Sequence, residues 1–321
     1  MTPIKLLRLF LATLALAVPS VAWAAPWTYT DATGQVVELA EVPTRIIASQ
    51  DAAAGLIPLG IRPVGIYADS PIADAKALQG LDLTGIEIIG QAWGEIDIEK
   101  AAALQPDLVI AEYWPLDSAW SGGDAVTGAD SPLRALAPIT GPANGDSILT
   151  LIEDYEALAS SLGSDLSDPT IAADKAKFET AKTAFAAAVA SKPKLTVLAL
   201  WAGADSMSIA SPPGSAELMD FQAWGLDIIT PELADDRGYW ETLSWENADK
   251  YQPDLIMVDN RSPATMATAL AQPSWTLMQA AAAGAVTDWP AFWLRNYAAY
   301  GTALDQLTTA ITAADENLTP E

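Results

Sequence analysis

The chain contains no cysteine and no histidine in its 321 residues. The first absence removes disulfides, cysteine nucleophiles, iron–sulfur clusters and thiolate zinc sites. The second removes the Ser-His-Asp triad and every imidazole-ligated metal centre. Basic residues are also scarce: 16 Lys and Arg stand against 41 Asp and Glu, a formal charge of −25. A surface of that sign repels nucleic acid and anionic lipid, so neither is expected as a partner. What is left for chemistry is carboxylate, Tyr, Lys and Arg, while 51% of the residues are apolar and can bury a substantial core. The composition suits a protein that holds something better than one that transforms it.

The first residues carry Lys5 and Arg8, an apolar stretch from Leu9 to Val18, and Ala22-Trp23-Ala24 before Ala25. A positive start, an apolar core and a small-x-small site predict a secretory signal peptide over residues 1–24. A membrane anchor is the competing reading, but the run is shorter than the ~20 residues that span a bilayer. A lipoprotein would need a cysteine at the cleavage point. The mature chain is therefore expected in a periplasm, with no membrane insertion once the leader is removed.

The length accommodates two ordinary domains. From Pro43 onward short apolar runs alternate with Ala-rich helical stretches: strands at Arg45–Ser49, Pro63–Tyr67, Glu87–Ile89 and Leu108–Ala111, and helices at Asp51–Leu59 and Ile98–Leu104. That alternation predicts parallel pairing in an α/β lobe. The rhythm restarts with a strand at Leu195–Leu200, a helix at Ser215–Trp224, a strand at Leu255–Val258 and a final helix over about Pro290–Ala313. Between the halves, Thr170–Ser191 is rich in Ala and Lys and free of Gly and Pro, with Phe178, Phe185 and Val189 on one face and Pro169 and Pro193 as limits. It reads as one stiff helix of about 22 residues, roughly 33 Å long. The expected organisation is an N-terminal lobe over 25–168, a connecting helix over 169–192 and a C-terminal lobe over 193–321.

An internal repeat relates the halves. The segment from Trp93 to Leu108 can be laid without a gap on Trp240 to Leu255, with Trp, Glu, Ala, Gln, Pro, Asp and Leu coinciding. Duplication explains this directly; shared use of one loop-helix-turn-strand module is the alternative.

At these residues the chain resembles substrate-binding proteins of ABC importers, of the helical-backbone (class III) type and its ferric-siderophore branch. Pro43–Tyr67 resembles that family's opening strand-helix-strand. "IDIEKAAALQPDLVIAEY" and "YWETLSWENADKYQPDLIMVDNR" resemble its N-lobe and C-lobe signatures. The resemblance implies two Rossmann-like α/β lobes with mainly parallel sheets, joined by one long rigid helix, with the ligand in the cleft between them; the stiffness of that helix predicts only small lobe movement. It also implies a monomeric, non-catalytic receptor without a cofactor of its own. Such a receptor captures a ferric siderophore, hydroxamate-like by preference, and hands it to a membrane permease.

Ligands in open parallel sheets sit beyond the carboxyl ends of strands. The aromatic residues there are Trp93, Tyr113 and Trp114 in the first half and Trp201, Tyr239 and Trp240 in the second. Arg261 falls opposite Trp114 by the repeat offset, and Pro290–Arg295, which contains Trp293 and Arg295, resembles the loop that contacts iron-bound oxygens in hydroxamate binders. Aromatic walls supply contact area, and an arginine fork can reach two oxygens at once. Each Trp can equally be a core or loop anchor, and each Arg can simply pair with a carboxylate. By the resemblance, Arg295 stands where a ferrichrome-type binder has Tyr and Trp93 near where it has Arg, which leaves the siderophore's identity open. Arg237, Arg261 and Arg295 would suit an anionic chelate.

Glu99 and Glu246 are equivalent in the repeat. In the family, acids at this place dock on basic residues of the permease; a carboxylate in a first helical turn also simply offsets the helix dipole. Cobalamin or haem is the alternative cargo, with Tyr67, Tyr113 and Tyr239 available as haem ligands. A two-carboxylate glycosidase using Glu95 or Glu112 with Glu241, or a sugar-binding module with Trp platforms, is a weaker expectation.

Overall fold

The structure, a computed structural model, describes residues 26–232 and 235–318. The expected signal peptide at 1–24 lies outside the described residues. A hairpin of β1 (Trp27–Thr30) and β2 (Val36–Leu39) leads into the first lobe. There follow β3 (Ile46–Ser49), α1 (Gln50–Leu56), β4 (Gly65–Ala68), β5 (Glu87–Gln91), α2 (Ile98–Ala103) and β6 (Leu108–Ile110). A second small hairpin, β7 (Tyr113–Trp114) with β8 (Ala119–Trp120), precedes α3 (Asp124–Thr127), α4 (Pro132–Leu136), β9 (Ile139–Thr140) and α5 (Ile148–Ser161). The lobe's sheet has the order β5-β4-β3-β6-β9 and is parallel throughout. All four residues of β3 are buried, as expected of a central strand covered on both faces. The order turns back between β3 and β6, so the crevice for a ligand opens at the carboxyl ends of those two strands.

A single 22-residue helix, α6 (Pro169–Ala190), separates the two sheets. Pro169 occupies its first turn, where a missing N–H costs nothing, and Asp168 caps it by accepting the Thr170 amide at 2.7 Å. The second lobe comprises β10 (Thr196–Ala202), β11 (Ser206–Ala210), α7 (Ala216–Ala223), β12 (Asp227–Ile228), β13 (Trp240–Ser244), β14 (Leu255–Asp259), α8 (Pro263–Ala271), α9 (Gln279–Ala282), β15 (Val286–Trp289) and the last helix α10 (Tyr297–Ala313). Its sheet runs β13-β11-β10-β14-β15, with β12 also on β10. Pairing is parallel across β10, β14 and β15, whereas β11 is antiparallel to both β10 and β13. The two α/β lobes follow the alternating pattern. Within the two main sheets the antiparallel strands lie on one side of the second, and the other antiparallel strand pairs among the described residues are the hairpins β1–β2 and β7–β8.

The Pro-Asp-Leu repeat has one mechanical role in both lobes. Asp107 accepts the Thr44 and Arg45 amides at 2.9 and 3.0 Å and returns its own N–H to Arg45, at the entrance to β3. Asp254 accepts the Thr196 amide at 2.9 Å and returns its N–H to Thr196, at the start of β10. Each carboxylate thus clamps the first strand of its own sheet beside the strand it precedes. The rest of the repeat diverges. Trp93 sits in a turn closed by a bridge between Ala92 and Glu95, and α2 follows. Trp240 instead opens β13, followed by a single 3₁₀ turn at Trp245–Asn247.

Phe178, Phe185 and Val189 of α6 are all buried, as their spacing predicted. Phe178 packs 5.1 Å from Tyr300 and 5.4 Å from Tyr297, and Phe185 lies 5.5 Å from Phe221. Each such ring removed from water stabilises by about 1.5–3 kcal/mol. Gly301 allows α10 to lie close on α6, since a Cβ there would stand 3.3 Å from the Phe178 Cα. The last helix begins later than the expected Pro290: Asn296 caps it by accepting the Ala299 amide at 2.9 Å, and residues 290–295 form a loop. That loop matters for the site. Among the described residues no helix is long and apolar enough to cross a membrane.

Candidate ligand cleft

The carboxyl ends of the two sheets flank a cleft of about 680 Å³. Phe292, in the 290–295 loop, lines it. Phe292 has φ +60°, a conformation that costs a bulky L-residue about 1–3 kcal/mol and persists only where the surroundings impose it. Its amide is held by the buried Glu217 carboxylate at 3.0 Å. The Phe292 ring lies 5.6 Å from Trp289, 6.0 Å from Trp240, 6.2 Å from Trp114 and 6.3 Å from Tyr239, so it joins aromatic groups of both lobes. The Arg261 guanidinium stands over this ring at 4.9 Å.

Five of the nine residues expected at the ligand line this cleft: Trp93, Trp114, Tyr239, Trp240 and Arg261. Trp93 is 61% exposed at the rim, and the Trp114 indole donates to the Ser121 hydroxyl at 3.0 Å. Tyr239 and Arg237 both donate to Asp117 at 3.1 Å, a polar bridge from one lobe to the other across the mouth. Arg261 is bound back to the buried Asp259 through Nε at 2.9 Å and Nη2 at 2.5 Å, while its side chain stays 45% exposed.

The other four stand elsewhere. Tyr113 turns against the N-lobe core, 5.2 Å from Trp120. Trp201 lies within β10, opposite Ser208 of β11, and its ring covers Gly203 rather than the cleft. Trp293 is tied to Asn260 by its indole N–H at 2.7 Å, with Lys76 over its face at 5.5 Å. Arg295 corrects the expectation most sharply: it is fully buried, and its Nε donates to the buried Glu112 at 2.5 Å. Glu112 also accepts the Tyr155 hydroxyl at 2.8 Å. Arg295 therefore lies beneath the cleft rather than on its wall: Nε holds a buried acid, while Nη2 has no hydrogen-bond partner among the described residues. The glycosidase alternative loses its acids in the same way, since Glu112 is sealed by Arg295 and the buried Glu241 is tied to Lys250 and Tyr251.

Four aspartates not singled out from the sequence line the cleft: Asp51, Asp69, Asp117 and Asp124, of which the first two lie at strand ends of the N-lobe sheet. Asp51 is the second residue of α1, just past the end of β3, and Asp69 directly follows β4. Burial raises the Asp51 carboxyl to about 8; Arg295 pulls it down while Glu112 and Asp69 push it further up. Burial, then Glu112, raises Asp69 to about 6. The signal that could have found them is the strand-end rule used for the tryptophans, applied to acids. Glu99 and Glu246 both lie on the exposed surface, one in the first turn of α2 and one in the 3₁₀ turn after β13. Among the described residues no cluster of three or more acids could hold a metal ion.

A family model described as periplasmic binding protein matches residues 88–291. Among solved structures, the chain is similar to DesE, a ferric-siderophore receptor protein from Streptomyces coelicolor, at 29% identity, covering 91% of this chain and 99% of that one with a TM-score of 0.81. It is also similar to the siderophore periplasmic binding protein from the fuscachelin gene cluster of Thermobifida fusca, at 21% identity over 84% and 96% of the two chains, TM-score 0.61. FhuD2 from Staphylococcus aureus with bound ferrioxamine B matches at 20% identity over 84% and 98%, TM-score 0.60. The last two speak for the fold alone. No curated protein matches the chain.

Proposed function

The chain belongs to the periplasmic binding protein family, and from that premise we propose that it is a non-catalytic receptor that captures a ferric siderophore and delivers it to the permease of an ABC importer. The observation that carries the reading is the inter-lobe cleft of about 680 Å³ walled by Trp114, Tyr239, Trp240 and Phe292, together with the likeness to DesE, described as a ferric-siderophore receptor. A ferric siderophore brings its own iron ligands, so the protein needs contact area and a few donors, not an imidazole or thiolate set. A hydroxamate-type chelate is favoured because both cleft arginines are already matched by carboxylates, Arg237 by Asp117 and Arg261 by Asp259. A strongly anionic chelate would find little free positive charge there.

In this reading Trp93, Trp114, Tyr239, Trp240, Arg261 and Phe292 contact the cargo, and Arg295 positions the loop that carries Phe292. Exposed Glu99 and Glu246 are the docking pair for the permease, one on each lobe. The protein acts as a monomer, after removal of a signal peptide, in the periplasm. Of the three tyrosines considered for haem, Tyr67 is buried on the Ser121 carbonyl and Tyr113 faces the core, which leaves only Tyr239 on the cleft wall.

The test is a titration of the mature protein with ferrioxamine, ferrichrome, ferric citrate, a ferric catecholate, haem and cobalamin, followed by tryptophan fluorescence. The expected result is strong quenching by a hydroxamate at micromolar concentration or below. Quenching by none of the iron chelates would refute the proposal, and tight binding of haem or cobalamin alone would reassign the cargo.

A further inference from the structure

The two walls of the cleft differ in what they leave unpaired. On the C-lobe side both arginines are committed to carboxylates. On the N-lobe side, neighbouring parallel strands β3 and β4 deliver Asp51 and Asp69 to one corner at their carboxyl edge. Asp51 is only 5% exposed, lines the cleft, and accepts no hydrogen bond among the described residues. Asp69 receives only a long contact from the Gln50 side-chain amide, at 3.4 Å, while its own N–H goes to Gln50 Oε1 at 3.2 Å. So deeply buried and without a donor, the Asp51 carboxyl is costly as a carboxylate unless a bound group completes it.

We propose that the Asp51–Asp69 corner is a subsite for a cationic arm of the cargo, a primary ammonium, so that the preferred ligand is a ferric hydroxamate bearing a protonated amine. The inference rests on the siderophore reading above and narrows it. Three hydroxamates neutralise ferric iron, so a pendant ammonium makes the whole chelate a cation, which an acidic protein attracts. An ammonium has three N–H donors and can serve both carboxyls together. The iron centre then lies toward Phe292 and Arg261, with the amine toward the N lobe.

Proton accounting gives the subsite a second signature. The groups facing Asp51 are Arg295, Glu112, Asp69 and Arg261, with Tyr67 and Tyr155 close enough to sense its charge. In that company the empty protein holds a proton on Asp51 near neutral pH, and an arriving ammonium favours the carboxylate. Binding therefore moves the Asp51 proton to buffer while the ammonium keeps its own.

The experiment compares ferrioxamine B with its N-acetylated form, which has the same iron shell and no ammonium. Acetylation is expected to weaken binding by about tenfold or more, the scale of one charge-assisted hydrogen bond. Asp69→Asn should narrow that gap, and the Asp51→Asn/Asp69→Asn pair should close it, with melting curves checking that each variant is folded. Calorimetry in two buffers of different ionisation enthalpy should report proton release for the amine form alone, a measurement that needs no variant. If the two chelates bind the unaltered protein within about twofold, or the folded variants keep the full gap, the subsite is refuted while the receptor reading stands. If neither chelate binds, nor any other ferric siderophore, the receptor reading itself falls and takes the subsite with it.

Discussion

The ends of β6 and β14 occupy equivalent places in the two lobes, and at each a buried acid holds an arginine. Beyond β6, Glu112 holds Arg295, which comes from a loop 183 residues away and is sealed from solvent. At the end of β14, Asp259 holds Arg261, only two residues on, whose side chain is 45% exposed over Phe292. The same carboxylate–arginine pair thus does two jobs. In the N lobe it is a structural tie that fastens the 290–295 loop across the lobe boundary; in the C lobe it holds a guanidinium over Phe292 on the cleft wall. Exposure, not residue type, decides which.

The largest expected effect breaks the first tie. Arg295→Ala leaves Glu112 buried without its cation and should cost about 3–5 kcal/mol in unfolding free energy, read from denaturant melts. Replacing both partners, Glu112→Leu with Arg295→Met, should recover much of that loss, because the uncompensated charge is gone. If Arg295→Ala melts like the parent, the tie carries no weight and the comparison collapses.

Arg261→Ala should cost far less stability, about 1 kcal/mol, since the pair is partly screened and Asp259 keeps the Arg261 backbone amide at 2.8 Å. It should instead weaken siderophore binding, by about tenfold, as Trp240→Ala should through loss of the ring 6.0 Å from Phe292. Affinity unchanged in Arg261→Ala would remove the division of labour between the two arginines.

How far the sequence could have foretold this division varies with the range of the interactions. α6 was legible because helix propensity, spaced Phe178 and Phe185 and flanking prolines are all local signals. The Pro-Asp-Leu copies were legible as a repeat, although their clamping role required the fold. Arg295 was not legible: a lone arginine beside two aromatics reads as a donor, and its partner Glu112 is one acid among 41. Trp201 misled because the strand runs two residues further than expected, carrying the ring along β10 to β11. Asp51 and Asp69 were within reach of the strand-end argument, yet nothing in a bare Asp distinguishes a buried carboxyl from a solvated one.

A pH series sharpens the same contrast at smaller amplitude. Burial raises Asp51 to about 8 and Glu217 to about 7, both above the usual carboxyl values of the unfolded chain. The folded state then binds more protons than the unfolded one between about pH 4 and pH 8, so these groups favour folding at the acid end and lose that contribution as pH rises through their folded values. The melting temperature should therefore fall from pH 5 to pH 8. Asp51→Asn and Glu217→Gln should flatten the decline, and a parent protein whose stability rises over this interval would contradict the assigned environments.

The smallest effect on the purified protein belongs to Glu99 and Glu246, the other equivalent pair. Both are exposed, in short helical turns of different kind, and neither lines the cleft. A carboxylate in a first turn is worth about 0.3–1 kcal/mol at most, so Glu99→Ala and Glu246→Ala should leave the melting temperature and siderophore affinity nearly unchanged. If the two acids meet basic residues on a permease, orientation requires both, because one rim charge alone leaves the receptor free to pivot. Each single variant should then reduce uptake and the pair should abolish it, with affinity intact. Full uptake by the double variant would confine these acids to their helix turns and leave the docking surface to be sought elsewhere on the two lobes.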